Sequence, residues 1–291
     1  MLEKARRLFV FGALSASWHL LASDASAVAK QNRKLAEAAE AILRADYRGD
    51  RAELLKLAGS LSSTALSTNA AYREYWTGFA YWRRAMNGFN ETPTPPDLSE
   101  DLERCAARER AALALDPAFE DARGALLGCL MNQAFLAAQF PQEKRGPVIR
   151  ELVDVLKAVA PRSEGNPRSL WLIGGHQIFA PPPYGGNTAR GLATYRRGLT
   201  AARQEALSPT PREPWAPSWG APELLMSLAY VHTYGANPDL AVARAYADGA
   251  LAMVPDWHYV RDILVPAIEK LSNAPTPAIE RESKKPEGGS P

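Results

Sequence analysis

Apolar and small residues recur along much of the chain at helical spacing, and the segment Asn166–Leu199 shows this pattern most clearly. Its first half carries a stripe at i, i+3, i+4 and i+7, which is one face of a helix. This stripe consists of Leu170, Ile173, Gly174 and Gln177. The second half carries a similar stripe of Gly191, Leu192, Tyr195, Gly198 and Leu199. Asn166 and Pro167 suit the start of the first helix, and the run Pro181–Pro183 must end it. The segment therefore predicts a hairpin of two helices.

Related stripes occur on both sides of this hairpin. Candidate second helices carry Cys105, Glu109, Ala112 and Pro117; Ile149, Val153, Leu156 and Pro161; and Ala243, Ala247, Ala250 and Pro255. Candidate first helices carry Gly78 with Tyr81, Gly128 with Met131, and Leu225, Leu228 and Ala229 with His232. This order resembles the tetratricopeptide repeat, in which small residues recur in both helices of a unit and a proline closes it. The resemblance implies four divergent units over residues 69–255. It also implies an all-α fold, an α-α solenoid of helix hairpins wound into a right-handed superhelix.

The segments that flank these units have other predicted roles. Residues 28–68 contain two Ala- and Leu-rich runs, Lys34–Arg48 and Arg51–Ser62, that we interpret as N-terminal capping helices. Residues 256–272 suit a C-terminal capping helix. Residues 273–291 are rich in Pro, Ser, Glu, Lys and Gly, and this composition predicts a disordered tail.

The first 27 residues have the parts of a secretory signal peptide. Basic residues precede an apolar run from Leu8 to Leu21, and Ala25-Ser26-Ala27 follows as a cleavage motif. The apolar run is short for a permanent membrane span, so none is expected after cleavage. We therefore expect a periplasmic or secreted protein. The alternative is a cytoplasmic protein in which this segment is an ordinary first helix.

Composition and charge narrow the function classes. The net charge is +2, and 46% of residues are hydrophobic, which favours a helical protein with a substantial core. A nucleic-acid partner is not expected, because such proteins concentrate basic residues on one face. We interpret Arg83-Arg84 and Arg196-Arg197 as parts of solvated helix faces.

Aromatic and loop residues supply the candidate binding surface. Asn87–Pro96 and Ser208–Pro222 are Pro-rich loops, and the second is either a lid over the concave face or a connector whose Trp residues pack on neighbouring helices. The aromatic run Tyr72–Trp82 either lines a groove or fills the core. The candidate binding residues are Trp76, Trp82, His176, Tyr184, Trp215, Trp219, His232 and Tyr234.

The sequence contains few indications of catalysis or metal binding. None of the common metalloprotease, dinucleotide, P-loop or nucleophile-elbow motifs is present, so we assign no catalytic residue, cofactor or metal ligand. His176 and His232 occupy similar points of successive first helices, where hydrogen-bonded packing is a commoner role than catalysis. Cys105 and Cys129 either form a disulfide in an oxidising compartment or lie buried as separate thiols.

Stacked helix hairpins leave an extended face that suits peptides or proteins, so the first expectation is a non-catalytic interaction scaffold of the bacterial cell envelope. The segment NPRSLWLIG followed by APPPYGGN is similar to exported bacterial tetratricopeptide-like proteins, including the T-component group of TRAP-type solute transporters. That resemblance implies the main alternative, a periplasmic binder of an apolar small molecule or organic solute that assists a transporter. An enzyme is the third possibility.

Overall fold

The computed structural model describes residues 26–64, 68–136 and 141–274. Within these ranges the chain is all-α, as the periodicity predicts. The α-helices are α1 (26–47), α2 (Arg51–Ser62), α3 (Ala70–Gly88), α4 (Leu98–Leu115), α5 (Glu120–Phe135), α6 (Gln142–Val159), α7 (Pro167–Phe179), α8 (Thr188–Ala206), α9 (Ala221–Tyr234), α10 (Leu240–Met253) and α11 (Val265–Ser272). A π-helical stretch, Tyr259–Leu264, leads directly into α11.

Successive helices pack as hairpins. The pairs α3 with α4, α7 with α8, and α9 with α10 are in extensive contact, and α2, α5 and α6 each pack on the preceding or following helix. The first helices of neighbouring hairpins also touch, as α3 with α5, α5 with α7, and α7 with α9. These first helices therefore form an inner layer, and most of the second helices lie outside it.

Local sequence explains where several helices begin. The Asn166 side chain accepts hydrogen bonds from the backbone N–H groups of Arg168 and Ser169, which would otherwise have no partner at the start of α7. Asn187 caps α8 in the same way through the N–H of Arg190. Ala180 takes an extended conformation before the proline run, so α7 ends where the sequence predicts.

Glycines mark two of the closest helix contacts. A Cβ atom on Gly174 of α7 would overlap the ring of Tyr195 in α8. A Cβ atom on Gly128 of α5 would overlap the indole of Trp82 in α3. The predicted contact role of small residues in these helices is therefore confirmed at both positions.

The predicted register of α6 is wrong. Ile149 and Val153, expected in the buried stripe, are about two-fifths exposed, whereas Leu152 and Val159 are buried. The buried pair lies about 90° around the helix from the predicted pair. Helix α6 packs mainly on α5. A single stripe of α6 is therefore buried, and the neighbouring apolar residues remain exposed to solvent.

The interpretation of Arg83 as part of a solvated face is also wrong. Its side chain is 9% exposed, and its Nε donates to Oδ1 of the fully buried Asp46 at 2.8 Å. The spacing from Trp76 and Phe79, seven and four residues earlier, places Arg83 on the inward face of α3. Arg196 and Arg197, by contrast, are exposed as expected.

A disulfide joins Cys105 of α4 to Cys129 of α5, with Cα atoms 6.2 Å apart. The sequence alone allows either this bond or two separate buried thiols. Such a bond is consistent with an oxidising compartment outside the cytoplasm.

None of the described helices is long and apolar enough to cross a membrane. Nearly all of the proposed signal peptide (1–27) and tail (273–291) lies outside the described residues.

The beginning and end of the described chain are in contact. The ring of Tyr47, at the end of α1, packs edge-on against Trp257 with centroids 5.0 Å apart. The Tyr47 hydroxyl donates to Oε1 of Glu223 in α9 at 2.7 Å. We call these interactions the closure contact. Because α1 also reaches α3 through Asp46 and Arg83, the inner helices enclose a central space.

Candidate functional site

A cavity of about 320 Å³ lies in this central space. Its wall comes from the inner helices α3, α5, α7 and α9, together with Tyr195 and the segment around Trp257 and Tyr259. Most of the lining side chains are aromatic or flexible and apolar: Trp82, Met86, Phe89, Met131, Trp171, Leu172, Phe179, Tyr195, Met226, Tyr230, Trp257 and Tyr259. The volume lies at the lower end of the range of about 300–1,000 Å³ that is typical of small-molecule sites.

Three tryptophans pack on one another at one side of the cavity, and we call them the tryptophan floor. Trp82 and Trp171 line the cavity with ring centroids 5.8 Å apart. Trp219 packs behind both, with centroids 6.1 Å from Trp82 and 5.6 Å from Trp171. Trp219 is 2% exposed and its indole N–H donates to the Tyr75 hydroxyl at 2.7 Å, so the floor is anchored to α3.

The Pro-rich loop between α8 and α9 lies behind this floor. The Trp215 carbonyl accepts a hydrogen bond from Trp76 Nε1 at 2.8 Å. Buried Arg168 donates to the Trp219 carbonyl and forms ion pairs with Asp121 and Glu205. Neither loop tryptophan lines the cavity. These contacts agree with a connector whose tryptophans pack on neighbouring helices.

The mouth of the cavity carries exposed aromatic side chains. Phe89 and Phe179 line the cavity and are 37% and 51% exposed. Tyr230 follows Phe179 with ring centroids 6.0 Å apart, and Tyr234 follows Tyr230 at 4.9 Å. An apolar surface therefore continues from the interior of the cavity to the outside of the protein.

A few polar groups interrupt the apolar lining. Trp82 Nε1 donates to Asn132 Oδ1 at 2.8 Å, and Trp171 Nε1 donates to the Ser227 hydroxyl at 2.7 Å. Burial raises the pKa of Tyr195 and of Tyr259, so both phenols stay protonated and uncharged at neutral pH. Arg83 is the one charged side chain among those that line the cavity.

A buried polar network holds Arg83 in place. Asp46 accepts from Arg83 Nε, and both its Oδ1 and its backbone carbonyl accept from Asn87 Nδ2, at 2.8 and 3.1 Å. Glu223 lies near the guanidinium, accepts from Tyr47 and also caps α9 through the Gly220 N–H. Burial raises the pKa of Glu223, which favours its uncharged form.

The candidate residues from the sequence fall into three places. Trp82 and Trp219 belong to the tryptophan floor, and Trp76 donates to the Trp215 carbonyl in the loop behind it. His176 lies in the last turn of α7, and its Nε2 contacts the carbonyl of Tyr184 in the α7–α8 loop at 2.9 Å.

The other two candidates belong to the last hairpin. His232 stacks on Tyr246 of α10 with ring centroids 5.8 Å apart, and Tyr234 is half exposed near the mouth. The two histidines therefore make separate contacts. Among the described residues, no group of three His, Cys, Asp or Glu side chains is arranged to hold a metal ion.

Several residues that line the cavity were not predicted from the sequence, although the helical spacing does indicate one of them. The helical spacing from Trp76 and Phe79 places Arg83 on their face, which predicts an inward guanidinium. Asn132, Tyr230 and Tyr259 had no comparable signal, because each lies near the end of its helical segment or in a helix whose orientation depends on tertiary packing.

No family model, curated protein or solved structure matches this chain.

Proposed function

We propose that the protein binds a small, mainly apolar organic molecule in the central cavity and holds it without chemical change. The observation that carries this proposal is the enclosure of an aromatic and Met-lined space between the tryptophan floor and an open mouth. Aromatic side chains supply large apolar contact areas, and methionines adapt to irregular shapes. The closure contact favours such a small ligand over an extended peptide, because it joins the two ends of the helix array.

The tetratricopeptide-like fold, the export and the role beside a transporter belong to the same proposal. Repeated hairpins with glycines at close contacts support the tetratricopeptide-like solenoid and its right-handed superhelix. The Cys105–Cys129 disulfide supports export to the periplasm or beyond, and therefore cleavage of the N-terminal segment. A binder in that compartment suits a role beside a transporter of organic solutes. Loss of about 27 residues from the mass of the envelope-derived protein would test the export step.

A neutral dye provides the direct test of cavity binding. N-phenyl-1-naphthylamine becomes fluorescent in apolar surroundings, and titration with the wild-type protein should give saturable fluorescence. Gly175 lines the cavity, and a Cβ atom on it would meet only Tyr195 Oη at 3.4 Å and Met131 Cε at 3.9 Å. Gly175→Leu should therefore extend into the cavity and weaken dye binding at least about tenfold.

Gly59→Leu is the matched control, because a Cβ atom on Gly59 would meet no atom within 4 Å. This variant should bind the dye like the wild type. Circular dichroism and thermal unfolding establish that each variant is folded, and Gly175→Val serves if the Leu variant does not fold. A folded Gly175 variant with wild-type dye affinity would disprove binding in the cavity.

A protein-docking role is the second candidate, and the exposed aromatic surface at the mouth favours it. Phe179, Tyr184 and Tyr234 are 51%, 71% and 49% exposed, and aromatic residues are enriched in protein interfaces. Crosslinking in the cell envelope tests this role. A captured partner that is lost with Tyr184→Ser and Tyr234→Ser but kept with Leu207→Ser would support docking at this surface.

A further inference from the structure

The guanidinium of Arg83 lies at an apolar cavity with only part of its hydrogen-bonding capacity used. Its Nε donates to Asp46, whereas neither Nη1 nor Nη2 has a protein partner among the described residues. Neither terminal nitrogen is among the fully buried polar atoms that lack a hydrogen-bond partner. Both nitrogens therefore have some solvent-accessible surface. The side chain is nine-tenths buried and lines the cavity.

This arrangement fixes the direction of the side chain. Trp82 and Phe79 flank the guanidinium, with their ring centroids 5.7 and 6.0 Å from Arg83 Cζ. The ion pair with Asp46 prevents rotation away from the cavity. A planar guanidinium that is held through Nε keeps two terminal N–H₂ groups in the geometry that accepts a carboxylate in two parallel hydrogen bonds.

A second donor lies against the same tryptophan. Indole N–H groups only donate, so Asn132 Oδ1 must face Trp82 Nε1. The amide Nδ2 of Asn132 is then directed elsewhere, and no protein partner for it is present in the described part of the chain. Asn132 lines the cavity, so it adds a neutral hydrogen-bond donor beside the Trp82 ring.

From these contacts we infer that the cavity binds an organic monocarboxylate, with its carboxylate on Arg83 and its apolar body between the aromatic side chains. The inference rests on the proposed function, because it assigns the ligand class of the same cavity. Asp46 balances the charge of Arg83, and the lining contains no carboxylate that would repel the ligand. An apolar body is required because the rest of the lining is aromatic or aliphatic.

Matched acids and amides test the charge requirement. Isothermal titration would compare 4-phenylbutyrate with 4-phenylbutyramide, and octanoate with octanamide. A hydrogen-bonded charge in a buried site should make each acid bind about ten- to a hundredfold more tightly than its amide. The N-phenyl-1-naphthylamine titration is run in parallel as the measure of the cavity itself.

Two variants identify the anchor. The double variant Asp46→Asn, Arg83→Gln removes both charges together, so no unpaired charge remains buried. It should reduce the acid-to-amide affinity ratio to about one while dye binding persists. Arg84→Lys is the matched control, because Arg84 pairs with Asp97 and Asp101 and does not line the cavity. It should keep the wild-type ratio.

Each outcome decides the inference. Equal binding of acid and amide, tighter amide binding, or dye binding without acid binding would overturn the carboxylate assignment and leave the proposed function standing. A ratio that survives in the folded double variant would overturn Arg83 as the anchor. If neither the dye nor any acid or amide binds the wild type, the proposed function fails as well. If the double variant does not fold, Arg83→Lys replaces it. An unchanged acid-to-amide affinity ratio in Arg83→Lys would count against a carboxylate held by two parallel hydrogen bonds from the guanidinium.

Discussion

Gly174 of α7 lies against the ring of Tyr195 in α8 so closely that a Cβ atom on the glycine would overlap the ring. The same tyrosine lines the cavity, so this helix contact also places part of the cavity wall. A residue that is small for packing reasons therefore determines the position of a residue that lines the cavity.

Gly174→Leu should lower the free energy of unfolding by about 1–3 kcal/mol, because the leucine cannot fit without moving Tyr195. Arg196→Ala on the exposed face of α8 should change it by less than about 0.5 kcal/mol. Chemical denaturation of both variants measures the difference. Equal and negligible effects would show that the helices do not meet at Gly174.

Arg168→Met should release the connector that supports the tryptophan floor. Arg168 is almost fully buried, and its removal takes the ion-pair partner from Asp121 and leaves Glu205 paired with Arg212 alone. The expected loss of stability is about 3–5 kcal/mol, measured by chemical denaturation.

Arg197→Met is the control for Arg168. Arg197 pairs with Glu164 at the surface, where both side chains are more than half exposed, and its loss should cost less than about 1 kcal/mol. Faster proteolysis within residues 208–214 of the Arg168 variant alone would support release of the connector. Similar stability of the two variants would contradict the supporting role of Arg168.

Glu109→Gln should remove part of the pH dependence of stability. Glu109 is fully buried and neither carboxylate oxygen has a hydrogen-bond partner in the described chain. Burial, with the nearby charges of Asp121 and Glu74, raises its pKa well above the usual 4.5. The folded state therefore retains the proton more strongly than the unfolded state.

The sign follows from this difference in proton binding. The stability due to protonated Glu109 is complete below about pH 4.5, and it is lost as the pH rises towards the pKa of the folded state. Unfolding free energies from pH 4 to 8 should fall less steeply for Glu109→Gln than for the wild type. Glu103→Gln, on the exposed side of α4, should keep the wild-type slope. Identical slopes for all three proteins would contradict the prediction.

Removal of the disulfide should destabilise the protein without abolishing the cavity. The bond closes a loop between residues 24 positions apart, for which the chain-entropy account gives about 3–4 kcal/mol. Cys105→Ala with Cys129→Ala should lower the stability by this amount and retain dye binding. Alkylation of the native exported protein without reductant should leave its mass unchanged, and addition of two alkyl groups would contradict the bond.

Helix periodicity predicts much of this fold but little of the site. The hairpin Asn166–Leu199 was predictable because capping residues, prolines and small residues all agree on its two helices. The register of α6 was not, because Ile149 and Val153 are as apolar as the buried Leu152 and tertiary packing chooses between them. The place of the Ser208–Pro222 loop was equally hidden, since its tryptophans pack on α3 and α7, far away in sequence.

The site itself depends on where distant helices meet. Arg83 has a helical spacing that points inward, but its partner Asp46 belongs to another helix and nothing local relates the two. Tyr47 and Glu223 are still further apart in sequence. Contacts of this kind follow from the path of the whole chain, so they become visible only in three dimensions.

The meeting of Tyr47 with Trp257 limits how this architecture can change in evolution. An open array grows by duplication of one unit at either end, whereas here an added or deleted hairpin would separate the two rings. The size of the central space can therefore change gradually only by exchange of side chains along its wall.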